Sequence, residues 1–157
     1  MIHDLDIILG LARSPVASVE AVGTPVFSGK TDIANARIAF KSGCVANVTA
    51  SRVSHKTQRT FRVFQSNAYF VCDFVESRIY SHALTGDPAL LGPAAVSVDV
   101  ADVPREDGLA NEIDEFLRCV IEHRRPTVDQ QAGLEAMRLA EQIGRSITRC
   151  RSLLVAP

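Results

Sequence analysis

The sequence predicts an α+β fold with a largely antiparallel open sheet. Two observations carry this reading: the middle of the chain is a series of strand-like runs joined by short turn signals, and both ends show helical periodicity. The 157 residues suit one compact domain, 1–157, large enough to bury a substantial core. Hydrophobic residues make up 46% and charged residues 22%, an ordinary globular balance.

The first helix opens almost at residue 1, where Leu5, Ile8, Leu9 and Ala12 recur at helical spacing. Ser14-Pro15 ends it, because the residue before proline is pushed out of the α region. Val16–Val26 reads as a strand. Asp32–Phe40 and Cys44–Val53 follow on either side of Lys41-Ser42-Gly43, a hairpin turn in which glycine supplies positive φ. Thr60–Gln65 and Ala68–Val75 flank a second turn, Ser66-Asn67, and Arg78–His82 comes after Glu76-Ser77. Thr85–Ala95, with two glycines and two prolines, reads as a loop before a last strand, Val96–Val103.

The final third is helical. Leu109, Ile113, Phe116, Leu117, Val120 and Ile121 form one stripe, with Asp114 and Arg118 spaced for an i,i+4 pair elsewhere on the surface. Pro126 stops this helix. Thr127 is then expected to cap another, with Gln130 completing a capping box and Leu134, Met137, Ala140, Ile143 and Ile147 as its stripe.

The alternation in two strands suggests what covers the sheet. Ala68–Phe74 places Ala68, Phe70, Cys72 and Phe74 on one face against Tyr69, Val71 and Asp73. Cys44–Ala50 places Cys44, Ala46, Val48 and Ala50 against Val45, Asn47, Thr49 and Ser51. A sheet with one face in water alternates cleanly between apolar and charged residues. Here both faces read as neutral, so helices are expected on one face and an oligomer contact on the other. A three-layer monomer is the competing arrangement.

Several classes are set aside. Seventeen basic and eighteen acidic residues give a formal charge of −1, without the basic footprint of a nucleic-acid binder. No apolar run reaches the length of a membrane-spanning helix. The first residues carry acids where a secretory signal carries bases, which points to the cytoplasm. Cys44, Cys72, Cys119 and Cys150 form no C-x-x-C pair and read as buried reduced thiols, with no metal expected.

His3, Asp4 and Asp6 crowd the start of the first helix. His3 and Asp6, three apart, share a face there. A histidine near a carboxylate suits general acid/base chemistry, and the same acids suit capping of a helix dipole; spacing leaves both readings open. A metal-dependent hydrolase built on His3, Asp4 and Asp6 lacks further histidines at ligand spacing. Arg52, Ser54 and His55 form a second polar cluster, with Arg52 suited to a phosphate or a subunit contact. Arg59 and Arg62 lie on the following strand. Asn35 and Arg37 are polar strand positions, suited to a sheet interface.

Ile2-His3-Asp4-Leu5-Asp6-Ile7-Ile8-Leu9 resembles the (I/V)-H-(D/E)-x-D element of the Gfo/Idh/MocA oxidoreductases. The central hairpin at Asp32–Arg52, Asn111–Phe116 and Pro126–Glu141 resemble, in the same order, further motifs of that family's C-terminal domain. The tracts Asp32–Ile38 and Gly43–Arg52 resemble the subgroup of UDP-N-acetylglucosamine 3-dehydrogenases. The resemblance implies a C-terminal substrate-binding and oligomerisation domain of an NAD(P)-dependent sugar or nucleotide-sugar dehydrogenase. It implies His3 as the acid/base beside the reacting carbon and Asp6 as substrate-binding. A nucleotide sugar would supply two phosphates, which suit Arg52, and His55 is the further substrate-binding candidate of that cluster. NAD or NADP would be held by an N-terminal Rossmann domain missing from this chain, which contains no G-x-G-x-x-G and is expected to be inactive alone. The other functional class is a free-standing, non-catalytic domain that dimerises or binds a sugar nucleotide.

Overall fold

The computed structural model describes residues Met1–Leu154. The chain divides into two compact units. Residues 1–54 and 118–157 form the first, and His55–Leu117 the second. Every strand pairing among the described residues is antiparallel, as expected, but the strands fall into two sheets, a meander of three strands in the first unit and a meander of four in the second.

In the first unit, α1 (Ile2–Ala12) ends at Arg13, which takes the left-handed conformation one residue before the Ser14-Pro15 stop. A reversal then leads into β1 (Val16–Thr24), β2 (Ile33–Phe40) and β3 (Val45–Ser51). The β2–β3 hairpin closes at Gly43, with φ of 88°, where the Gly43 N–H donates to the Phe40 carbonyl. Ala21, Ala36 and Val48 lie in one register row, and Gly23, Ala34 and Ala50 in the next. α4 (Gln130–Leu154) packs on β1, while α1 packs on α4. Leu5, Ile38, Phe40, Leu139 and Ile143 fill the core. Fully burying a side chain such as Leu5 or Ile38 stabilises by about 1.5–3 kcal/mol.

β1 is an edge strand, and α4 blunts it. The Ala21 N–H donates to Ser146 Oγ at 2.9 Å, so an edge amide is satisfied by a helix side chain. Two residues along, Gly23 has no room for a side chain. A Cβ there would lie 2.7 Å from Thr31 Cγ2 and 3.1 Å from two carbons of Ile147.

Asp129, rather than the expected Thr127, caps α4. Its Oδ1 accepts the N–H groups of Gln131 and Ala132 at 2.9 and 3.1 Å, because the helix starts two residues later than the capping-box pattern suggested.

The second unit is a meander of β4 (Thr60–Phe64), β5 (Ala68–Asp73), β6 (Arg78–Leu84) and β7 (Val96–Asp102). Asp73 Oδ1 accepts the Val75 and Glu76 N–H groups and shapes the β5–β6 turn, in which Ser77 has positive φ. The segment read as a loop, Thr85–Ala95, holds a helical turn, α2 (Pro88–Leu91), and a 3₁₀ turn at Gly92–Ala95. Asp87 Oδ1 accepts the Ala89 N–H and seeds that turn, a local bond that outweighs the proline and glycine content. On one face of this sheet Tyr69 stacks with Phe64 at 4.6 Å and with His82 at 5.2 Å between ring centroids. α3 (Gly108–Ile121) keeps the predicted stripe, but Leu109, Ile113, Phe116, Leu117, Val120 and Ile121 are all exposed and Cys119 is its one buried residue.

The thiols are less uniform than expected. All four are free, with Cys119 buried, Cys72 and Cys150 half-buried, and Cys44 exposed beside the hairpin turn. No helix among the described residues is long and apolar enough to cross a membrane.

Gly23→Ala is expected to destabilise the protein by about 1–3 kcal/mol, since the new methyl must displace Thr31 and Ile147. Urea unfolding followed by circular dichroism measures this. Gly133→Ala, which meets nothing within 4 Å, is the control and should leave stability unchanged or raise it.

Candidate functional site

The most strongly organised polar feature is a carboxylate that sequence reading did not single out. Asp32 is buried at the end of the β1–β2 connection. Its Oδ2 accepts the N–H groups of Val26, Phe27 and Ser28 at 2.9, 2.9 and 2.8 Å. The Ser28 hydroxyl donates to Oδ1 at 2.7 Å and accepts the Lys30 N–H at 3.2 Å. The backbone joins in: the Asp32 N–H donates to the Thr24 carbonyl and the Arg52 N–H to the Asp32 carbonyl, each at 3.0 Å. Arg52 Nε lies 3.7 Å from Asp32 Oδ1, although the arginine side chain is 65% exposed against 2% for the aspartate.

The Ser28 hydroxyl and then the Ser28, Val26 and Phe27 amides hold the Asp32 carboxyl far below the usual carboxylate range, outweighing the opposing effect of burial. One buried group thus closes the loop at 25–31 and reaches the residue after β3. A weak signal was available: Pro25, Ser28 and Gly29 mark a tight connection, and an aspartate that begins a strand directly after one is placed to collect its amides.

His3 and Asp6 lie on the first turns of α1, His3 exposed and Asp6 half-buried. Neither side chain makes a hydrogen bond or ion pair with another described residue, so both are available to a ligand. Asp4 points elsewhere, with Oδ2 3.2 Å from the Met1 amino group.

Arg52 and His55 part company. Arg52 belongs to the first unit through Asp32, whereas His55 is the first residue of the second unit and is exposed without a polar partner among the described residues.

Asn35 and Arg37 lie on the open face of the first sheet, in register rows with Thr49 and with Glu20 and Asn47. Thr49 Oγ1 donates to Asn35 Oδ1 at 2.8 Å, and Arg37 donates to Asn47 Oδ1 at 3.3 Å. The reading of two uncharged faces, drawn from β3 and β5, is corrected here. Glu20 and Arg37 on the neighbouring strands make this face polar and charged.

A dinucleotide is cradled by a parallel β-α-β unit with a glycine-rich turn leading into a helix. The described strands pair only in antiparallel fashion, and the residues of this chain do not fit that group. Among the described residues no group of three His, Cys, Asp or Glu side chains could hold a metal ion.

Residues 1–71 match the family model of the GFO/IDH/MocA C-terminal domain, the family whose motifs the sequence resembles. Over 143 residues, 91% of this chain, it is 34% identical to the UDP-N-acetylglucosamine 3-dehydrogenase of Acidithiobacillus ferrooxidans, of which it spans 45%. A solved structure of that enzyme superposes with a TM-score of 0.86 at 33% identity, over 94% of this chain and 47% of the other. A levoglucosan dehydrogenase in complex with NADH shares the fold, with a TM-score of 0.78 at 14% identity over 94% of this chain and 46% of the other. The chain therefore spans about half the length of these relatives.

Asp32→Asn is expected to lower the melting temperature at pH 7. The folded state depresses this carboxyl's pKa, so its stabilisation is complete above the unfolded value of about 4 and is lost progressively as pH falls below it toward the lower folded value. Melting curves at pH 7 and pH 3 should show the gap between wild type and variant shrinking at pH 3.

Proposed function

We propose that this chain is the C-terminal substrate-binding and oligomerisation domain of an NAD(P)-dependent dehydrogenase acting on a nucleotide sugar. The observation that carries the reading is the 34% identity to a UDP-N-acetylglucosamine 3-dehydrogenase across nearly the whole chain. Since the residues here do not fit a dinucleotide, a Rossmann domain, joined in the same chain or encoded apart, supplies the redox cofactor. This domain presents the sugar to it.

Within that division of labour, His3 exchanges a proton with the sugar hydroxyl whose carbon is oxidised. Its exposure on the first turn of α1 leaves the imidazole free for substrate. Asp6, one turn along and half-buried, accepts hydrogen bonds from neighbouring sugar hydroxyls and fixes the ring. Arg52 binds a phosphate oxygen of the nucleotide, held in place by Asp32 behind it. His55 is the second phosphate-side residue, available because no described residue engages it.

The test is the enzyme formed with its Rossmann domain, assayed with UDP-N-acetylglucosamine and both cofactors. His3→Ala should lower kcat by about 10²–10⁴-fold, the usual cost of a lost general acid/base. Asp6→Asn should act mainly on KM. Matching melting temperatures show that neither change acts through folding. A well-folded His3→Ala enzyme with wild-type kcat across the pH range would remove His3 from the mechanism.

Oligomerisation is assigned to the sheet surface. Val45 is exposed on the first sheet, and Val71 lies in the row of Arg62, Tyr80 and Val100 on the second. Sedimentation velocity is expected to show a dimer or larger species, shifted toward monomer by Val45→Asp or Val71→Asp. A wild-type monomer at high micromolar concentration would overturn the assignment.

A further inference from the structure

The loop between β1 and β2 holds Phe27 in water. Its ring is 86% exposed, although the loop that carries it is tightly built. The amides on either side of Phe27, and its own, are fastened to Asp32, and Ser28 adds its hydroxyl to the same carboxylate. Holding a large apolar ring in solvent forgoes the gain from burying it. The local bonds that fix its backbone also reduce the ordering that a partner would otherwise impose.

The same carboxylate positions a cation. Arg52 meets Asp32 through Nε, and its exposed guanidinium leaves further N–H donors facing solvent. Lys30, on the same loop, is exposed and engages no described partner through its ammonium group. The Val26, Phe27 and Ser28 amides are consumed by Asp32, so they form no backbone anion nest. Any phosphate bound at this loop is left to Arg52 and Lys30.

We infer that Phe27, Lys30 and Arg52 form the recognition element for the nucleoside diphosphate of the substrate. The Phe27 ring stacks on the base, and the two cations take the diphosphate. The inference rests on the reading of the substrate as a nucleotide sugar and adds the residue that reads its base. An exposed apolar ring and a lysine on the loop that Asp32 closes, with an arginine tethered to the same aspartate, suit this ligand class better than a bare sugar, which offers neither an aromatic base nor a charge.

Calorimetric titration of the 157-residue chain with uridine diphosphate, uridine and inorganic pyrophosphate tests it. Wild type should bind uridine diphosphate more tightly than either fragment. Phe27→Ala should weaken uridine diphosphate by about 5- to 150-fold, the range corresponding to one stacked base, and leave pyrophosphate unchanged. Arg52→Ala should remove most of the advantage of uridine diphosphate over uridine, and Lys30→Ala a smaller part. Phe27 and Lys30 are exposed, so both variants should keep the wild-type melting temperature. Equal affinity of wild type and Phe27→Ala for uridine diphosphate overturns this inference and leaves the nucleotide-sugar reading standing. Failure of wild type to bind uridine diphosphate overturns this inference. Failure of the enzyme formed with its Rossmann domain to turn over any nucleotide sugar overturns the wider reading as well.

Discussion

Buried carboxylates are uncommon because desolvation opposes their charge, and they persist where hydrogen bonds replace the lost water. Asp32 has three amides, a serine hydroxyl and a nearby guanidinium in place of that water. The arrangement reaches well beyond one side chain. It closes the β1–β2 connection and starts β2 in register with β1, and its backbone bonds to Thr24 and Arg52 carry both neighbouring strands past the last ladder pair. The first sheet and the loop beyond it share this anchor. α4 and β1 add the second constraint, a close approach that Gly23 allows and the Ala21–Ser146 hydrogen bond fixes.

What could be read from the sequence follows from how local each signal is. The Lys41–Gly43 turn was legible because one glycine at positive φ determines the hairpin, and the strands on either side were found to within two residues. The three longer helices, α1, α3 and α4, announced themselves through periodicity, whereas the short α2 lay in a segment read as a loop. Asp32 was not legible as a hub, because its partners are backbone amides, which carry no residue identity. Asp129 displaced Thr127 as the cap for a related reason. Both residue types cap well, and only the geometry of Gln131 and Ala132 chooses between them. The charge on the first sheet's open face was missed because Glu20, Arg37 and Asn47 come together only once three strands are in register.

The candidate site shows the same division. His3 and Asp6 could be placed on one helix face from spacing, and both lack a polar partner among the described residues. Arg52 was legible as a cation after a strand, but its tether was not. His55 was grouped with Arg52 by adjacency alone, and the chain passes from one compact unit to the other between Ser54 and His55. Phe27 carried no signal, since an isolated phenylalanine in a sequence reads as core.

That passage also bears on how the chain folds. The first unit is discontinuous: the polypeptide leaves it after Ser54 and returns at Arg118, so α4 must find β1 across the whole intervening segment. The segment between is a meander in which each strand pairs with its sequence neighbour, the kind of local topology that forms fast. The entropic cost of such a closure grows only slowly with the length of the intervening chain. Each halving of that loop is worth about 0.6 kcal/mol. The unit that carries His3, Asp6 and Arg52 is thus closed by contacts between segments from the two ends of the chain.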